Sequence, residues 1–598
     1  MMSDYDFDEQ KSGSSCVFFW IFAITALFMF LGTNPLWGSE DRWAEITREM
    51  MATGDYLHPA VNWRIYFDKP QLSYWFIVPF AHLFGLDEMI ARIPSALAAL
   101  AGLWGTFCLA RQLFDRKIAI LSCWLLLSCY GFIFWGRTAA ADMANMSACI
   151  LATAWFYHVE EKPSFWKYLV FYLIAFGGAL TKGLPAVAVP IAAAAPYLIR
   201  EKRWLKHLKI SNFLAFFIGL GLYFVPFYIA SVVPPAEGLL LPDGPVLSGI
   251  ELVWRENIVR AFNAFDHIDP VYSYLYHLPR ILLPWAPFFV LAAGTAVYQR
   301  KQLEKRHQDL LWSILLIFLM FTASSSRRWY YILPITPFCC IFLATELIKE
   351  EHDRITRTLL FIFRSAVLFA GAAAFAAPVL IPVYQMMFNS FPPLLISITI
   401  PVAGLLILTV FLLDNKSGSW LEHFTGIRHR LASLVIGVAV MMAAIFGAIL
   451  PGAGVFRTEK PFILGTVPLL SGIPAEDIVF YETDSAAKFQ FYSKWHGPTA
   501  VIWKQKPSEP SRLVEYLQKK QGRKIAIICY DRKREREPLF RELTAAGICT
   551  DGLNPVVREP GRGKNWAVYL LNVPQKKQNE KTAVDIQNKF LKKGDSKK

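Results

Sequence analysis

Residues 18–50 read FFWIFAITALFMFLGTNPLWGSEDRWAEITREM, and the change of texture at Trp37 decides the fold class. Residues 18–36 carry no charge, whereas Glu40, Asp41 and Arg42 follow almost at once. A bilayer span takes about 20 apolar residues, so the chain leaves a membrane here and continues as an amphipathic helix. Ser39 stands at the N-cap position. Glu40 and Asp41 fall in the first turn, where the helix dipole favours acids. Trp43, Ile46, Met50 and Met51 share one apolar face, with Trp43 and Met50 turned to lipid. The acids either cap this helix or supply a base to a site at the membrane surface.

The rest of the chain supports a polytopic membrane protein. Of 598 residues, 55% are hydrophobic and 18% charged, against nearer 25% charged in soluble domains; the mean hydropathy is +0.35. The net charge of +14 fits cytoplasmic loop charge, and no basic motif for nucleic acid accompanies it. The nine cysteines have no zinc-like spacing; Cys529 and Cys549 either pair or stay free. The acidic N-terminus, with no small-residue cleavage site before Asn34–Pro35, predicts an uncleaved first span.

Apolar runs predict about thirteen spans, at 16–36, 90–113, 117–135, 143–159, 165–181, 183–199, 211–231, 276–298, 309–323, 329–348, 359–384, 393–413 and 430–450. A shorter run, 71–86, holds Pro79 and His82. The basic loops REKRWLKHLK (200–209) and QRKQLEKRHQ (299–308) belong in the cytoplasm by the positive-inside rule. Parity then keeps 71–86 at the interface and makes 37–90 an outer loop with interfacial helices. It also places Glu40–Arg42, Asp68–Lys69, Arg137–Asp142, Lys182, Asp266–Asp269 and Arg327–Arg328 on the outer side. Charge at membrane depth is costly and tends to be paired and functional, so this one-sidedness predicts a single outward-facing polar site.

Residues 1–454 thus form a transmembrane domain. Beyond it, the β-rich runs DIVFYE, TAVIW, KIAIICY and WAVYLLN alternate with helical stretches, which predicts a small accessory α/β domain over 455–574 on the outer side. Residues 575–598 read as a basic disordered tail.

Several outer residues have the chemistry of a phosphate site. Lys69 precedes Pro70 at a helix start, where anions bind. Arg137 and Asp142 lie five apart in GRTAAADM, either as an internal ion pair or as site residues. Lys182 sits in the tight LTKGLP hairpin, where an ammonium grips phosphate as a point charge. Asp266, His267 and Asp269 in FDHIDP have groups that hold a divalent ion. SSSRRWYY brings Arg327, Arg328, Tyr330 and Tyr331 to the head of a span. Cations bind phosphate and acids accept the proton of an incoming hydroxyl; a phosphate-linked sugar on a lipid needs both.

SEDRWAEITREMMATGDYLHP, YFDKPQLSYW, ARIPSALAAL, GRTAAADM, LTKGLPAVAVP and SSRRWYYILPITP, in this order, resemble the polyprenyl-phosphate-sugar-dependent GT-C glycosyltransferases. Lipid A aminoarabinose transferases and protein O-mannosyltransferases are the nearest types, and the resemblance covers most of residues 30–350. It implies an inner-membrane enzyme that transfers a 4-amino-4-deoxy-arabinose-like sugar or a hexose from undecaprenyl phosphate to a periplasmic acceptor. Lipid A is the first acceptor, and a protein or another glycan the alternative; a lipid or solute transporter is the rival class. Ser39 stands where the family's first acid usually does, so the base falls to Glu40, Asp41 or Asp142, with Glu40 favoured. Arg42, Lys69, Lys182, Arg137, Arg327, Tyr330 and Tyr331 are the implied substrate contacts. Asp68 with His267 resembles a metal pair for zinc, magnesium or manganese.

Overall fold

The computed structural model describes residues 3–575 except 68, 242–249, 252–253, 260–261, 264–267, 389–390, 417–420, 423–424, 426, 428, 455–457, 484, 505–510 and 559–564. The chain divides into two units, Met1–Phe456 and Arg457–Lys598. Among the described residues, 5 helices are long and apolar enough to cross a membrane: Glu88–Leu113, Ile210–Val232, Arg354–Met387, Leu394–Asp414 and Arg430–Gly454. There are up to 7 if two bent pairs each count as one span: Arg116–Leu127 with Tyr130–Gly136, bent by 70°, and Ser273–Leu282 with Ala286–Tyr298, bent by 119°.

In the first unit, α1 (Ser3–Phe28) leads to α2 (Glu40–Thr53) and a two-residue-strand hairpin, β1 (Ala60–Val61) and β2 (Arg64–Ile65). The run 71–86 becomes α3 (Leu72–Trp75) and α4 (Val78–Phe84), each far too short to span. Then come α5 (Glu88–Leu113), α6 (Arg116–Leu127), α7 (Tyr130–Gly136), α8 (Asp142–Val159), α9 (Phe165–Ala179), α10 (Pro185–Arg200) and α11 (Ile210–Val232). Asp87 starts α5 by accepting a hydrogen bond from the Ile90 amide at 2.8 Å, and Asp115 starts α6 in the same way through Ile118.

Small residues set how closely these helices approach, as is usual where lipid gives no hydrophobic drive to association. A Cβ on Gly102 of α5 would lie 2.7 Å from Ser147 Oγ of α8, and that hydroxyl donates to the Ala98 carbonyl at 2.6 Å. A side chain at Gly178 of α9 would run into the Cβ atoms of Ala148 on α8 and Ala186 on α10. Helix α8 therefore lies against α5 on one face and the α9–α10 hairpin on another.

Helix α2 is placed differently from its lipid-facing expectation. Trp43, Ile46 and Met50 are buried against Tyr74, Ile77 and Ala141, so Trp43 and Met50 face protein. The reason is α3, whose Tyr74 ring comes within 6.2 Å of Trp43 and takes up the apolar face that lipid would have covered. The segment after α2 is also tied to α11. His58 bonds the Ala230 carbonyl through Nε2 at 2.9 Å and Asp55 through Nδ1 at 2.8 Å.

The second unit carries a mixed five-stranded sheet in the order β4-β3-β5-β7-β6, formed by Ile478–Tyr481 (β3), Ala500–Ile502 (β4), Lys524–Tyr530 (β5), Val557–Arg558 (β6) and Trp566–Asn572 (β7). β3 pairs in parallel with β4 and β5, and β7 runs antiparallel to β5. Helices Ala486–Ser493, Arg512–Lys519 and Lys533–Ala545 connect the strands. β3 is buried along its whole length, as expected of a strand covered on both faces. Cys529 is buried, Cys549 is exposed, and both are free thiols. Residues 576–598 lie outside the described residues.

Candidate active site

Two acid–base nodes form among the charges that the sequence analysis groups together. The first is built on Glu40, which is 3% exposed. Its carboxylate receives a two-pronged contact from Arg92 of α5, Nε to Oε1 at 2.8 Å and Nη2 to Oε2 at 2.6 Å. Oε1 also accepts from the Ala139 amide at 2.8 Å and Oε2 from the Trp37 amide at 2.9 Å. Arg92 spends its other donors on the carbonyls of Leu31, Asn34 and Pro35. This corrects the expectation for Glu40 as base: a carboxylate with four donors on it, away from the cavity described next, holds chain segments together. The side chain of Ser39, expected to cap α2, makes no cap bond.

The second node opens on a cavity of about 260 Å³. Asp142, in the first turn of α8, forms an ion pair with Lys182 from the turn between α9 and α10. The Asp142 contact uses Oδ1; Oδ2 accepts no hydrogen bond among the described residues, and Asp142 lines the cavity. Lys69, Asp142, Asn145, Lys182, Tyr330 and Tyr331 all line that space. The Lys182 ammonium lies 4.8 Å from the centre of the Tyr330 ring and 4.5 Å from that of Tyr331, a cation–π arrangement. Trp135 backs Tyr330 at 4.6 Å. Two lysines, a carboxylate and two phenols thus converge on a space whose lining also includes Leu184, Met320, Phe321, Leu333, Ser324 and Ser326. Such a site can neutralise an anion and accept a proton within a few ångströms.

The remaining expected residues divide. Arg42 donates to the Tyr66 hydroxyl at 2.9 Å and acts electrostatically on Tyr330, so it flanks the cavity without lining it. Asp41 is half-buried and accepts from the Arg42 amide. Arg137 is a correction: it donates to the carbonyls of Ala26, Leu27 and Met29, where α1 ends and carbonyls lack helical partners. Arg327 is another, since it holds the carbonyls of Asp269 and Thr322; its neighbour Arg328 reaches the Tyr330 hydroxyl instead, at 3.3 Å. Asp68, Asp266 and His267 lie outside the described residues. Among the described residues, no group of three or more His, Cys, Asp or Glu is arranged to hold a metal ion. Arg92 and Asn145 were missed. An arginine inside the apolar helix 88–113, and an asparagine one turn after Asp142, are the signals that point to them.

Helix α2 also carries a buried carboxyl pair. Glu45 is gripped by Arg48 through two 2.7 Å bonds, and Glu49 accepts from the Trp63 amide at 3.0 Å. Burial, together with the facing Glu45 carboxyl, holds Glu49 well above the usual carboxylate range. Burial likewise raises Glu45, against the opposing pull of Arg48.

A second polar cluster, with Glu160 at its centre, follows the C-terminal end of α8: Arg203 reaches Glu160 at 2.6 Å, and nearby Arg200 pairs with Asp309. It lies about 27 Å from Asp142 along the helix at 1.5 Å per residue.

Comparison with known proteins bears out the resemblance in sequence and in fold. The family model described as dolichyl-phosphate-mannose-protein mannosyltransferase matches residues 68–229. The undecaprenyl phosphate-alpha-4-amino-4-deoxy-L-arabinose arabinosyl transferase of Aeromonas hydrophila is 30% identical over 352 residues, 56% of this chain and 61% of that protein. The protein of the same name from Shewanella sediminis is 28% identical over 344 residues, 56% of this chain and 60% of its own length. The chain thus spans about three fifths of the length of the curated relatives it matches. The crystal structure of ArnT from Cupriavidus metallidurans bound to undecaprenyl phosphate superposes with a TM-score of 0.67 at 18% identity, covering 94% of this chain and 99% of that one. Its apo form gives 0.64 at 20% identity, covering 93% and 97%. The two chains share one fold.

Proposed function

We propose that this chain is a membrane glycosyltransferase that moves a sugar of the 4-amino-4-deoxy-arabinose type from undecaprenyl phosphate to an acceptor hydroxyl, with lipid A as first acceptor. The observation that carries the reading is the cavity in which Asp142 keeps one oxygen open while Lys69 and Lys182 face the same space. The acceptor oxygen attacks the anomeric carbon, and the bond from that carbon to the phosphate oxygen breaks. The acceptor proton passes to Asp142 Oδ2, and the departing phosphate keeps the electron pair against the two ammonium groups. Glu40 has no oxygen to spare for this step, which is why the base moves to Asp142. Arg42 supports the phosphate from the rim.

The same reading carries thirteen spans in the bacterial inner membrane, with the cavity and the α/β unit on the periplasmic side. Cysteines placed at Ser324 or Gly238 are expected to label from outside and those at His207 or Lys305 from inside; labelling of His207 from outside overturns this topology. A divalent ion held by Asp68 and His267 is a separate proposal, tested by loss of transfer in EDTA and its return with added zinc, magnesium or manganese. A protein acceptor is the second reading, favoured by the mannosyltransferase family match over 68–229.

Mass spectrometry of lipid A and glycoproteins from a strain lacking the chain decides between the two. Loss of the aminoarabinose adduct on lipid A supports the first reading. An unchanged lipid A profile with a lost protein glycan supports the second, and no change in either sinks both.

A further inference from the structure

Asn145 lies one turn after Asp142 on α8 and is 2% exposed. Its carboxamide nitrogen donates to two carbonyls, Gly178 and Gly183, each at 3.0 Å. These carbonyls flank the turn that carries Lys182. A carboxamide nitrogen has two hydrogens, and both are spent on this turn. The assignment of nitrogen and oxygen is therefore set by chemistry, because an oxygen in that place would face two carbonyl oxygens. The carboxamide oxygen has no partner among the described residues, and Asn145 is one of the residues that line the cavity.

Gly183 has φ +141°, a conformation open to glycine and strained for other residues. The Thr181 hydroxyl bonds Gly178 as well, at 2.6 Å. One face of α8 then carries Asp142 for the Lys182 ammonium, Asn145 for the backbone on both sides of Lys182, and Ala148 against Gly178. The spacing is three residues each time, which repeats on one side of a helix.

We infer that Asn145 is a positioning residue: it holds the Leu180–Gly183 turn so that the Lys182 ammonium stays in the cavity, and it acts on an anionic lipid phosphate through Lys182. This rests on the phosphate reading above. The competing role is direct contact of the Asn145 oxygen with the ligand.

The test is binding of undecaprenyl phosphate to the purified full-length protein in detergent, for wild type, Lys182→Ala, Asn145→Ala, Asn145→Leu and the Asn145→Ala, Lys182→Ala double variant, with thermal melting of each. Lys182→Ala is expected to weaken binding by about ten- to a hundredfold. Asn145→Ala is expected to weaken it by about five- to twentyfold, and the double variant to bind within about twofold of Lys182→Ala, since residues that act through one another are not additive. Asn145→Leu keeps the volume and guards against loss of packing; it is expected to follow Asn145→Ala. If the two losses multiply, the oxygen contacts the ligand directly and the inference is wrong. If both Asn145 variants bind like wild type while Lys182→Ala is weak, the inference alone fails. If Lys182→Ala binds like wild type, the phosphate reading fails and the inference goes with it.

Discussion

Glu40–Arg92 and Asp142–Lys182 are both pairs of one acid and one base, both joined across helices on the outer side of the proposed topology, yet they are opposite kinds of site. Around Glu40 both carboxylate oxygens are doubly engaged and Arg92 is spread over three further carbonyls. Around Asp142 one oxygen is engaged, the other is open, and the partner lysine faces a cavity between two tyrosines. A fully engaged pair has nothing left to offer a substrate. A half-engaged pair beside a cavity can exchange a protein partner for a ligand. The number of free acceptor positions, more than the residue type, separates the clamp from the candidate catalytic group.

The comparison breaks most visibly in activity. Asp142→Asn is expected to cut sugar transfer in membranes by about 10²–10⁴-fold while leaving the melting temperature within a few degrees. Glu40→Gln is expected to lower the melting temperature and keep the turnover of whatever protein folds. The reverse pattern, with an active Asp142→Asn and a stable but inactive Glu40→Gln, would restore Glu40 as the base.

Next in size is the clamp itself. Arg92→Leu leaves Glu40 buried without its counter-ion and strips three carbonyls of their donor. Breaking a buried pair from one side costs about 3–5 kcal/mol, so poor expression or a large drop in melting temperature in detergent is expected. A melting temperature equal to wild type would show that the clamp is dispensable.

The lysines come third. Lys69→Ala and Lys182→Ala each remove a charge-assisted contact of about 1.5–3 kcal/mol, an expected ten- to hundredfold loss in kcat/KM for the donor. Full activity in the double variant would remove both from the phosphate site.

The smallest effect separates Glu49 of α2 from both nodes. Glu49 keeps its proton to higher pH in the folded chain than in the unfolded one, because of burial and the facing Glu45. Native protein therefore binds more protons than unfolded protein between the ordinary carboxylate range and the raised value. Its contribution is fully present below that range and is lost as pH rises through the raised value. Glu49→Gln is expected to flatten the fall of melting temperature as pH rises above the ordinary carboxylate range. A slope unchanged from wild type would place the titration elsewhere.

The sequence by itself determined that the chain is a polytopic membrane protein. Uninterrupted apolar runs have few alternatives when about 20 residues must cross lipid, and Glu88–Leu113 and Ile210–Val232 are helices close to where hydropathy put them. Residue chemistry and the order of six motifs also picked out Lys69, Asp142, Lys182, Tyr330 and Tyr331, which line one cavity. Tertiary structure decided which charges are spent on the backbone. Arg137 and Arg327 look like anion ligands in sequence, but unpaired carbonyls at the end of α1 and in the loop at Asp269 lie within their reach and take their donors. Glu40 looked like a base until Arg92, 52 positions away, came to meet it. No local pattern encodes such a meeting, because the two residues sit on separate helices that only the fold brings together. Trp43 likewise reads as lipid-facing, since periodicity shows an apolar face but not whether lipid or another helix covers it.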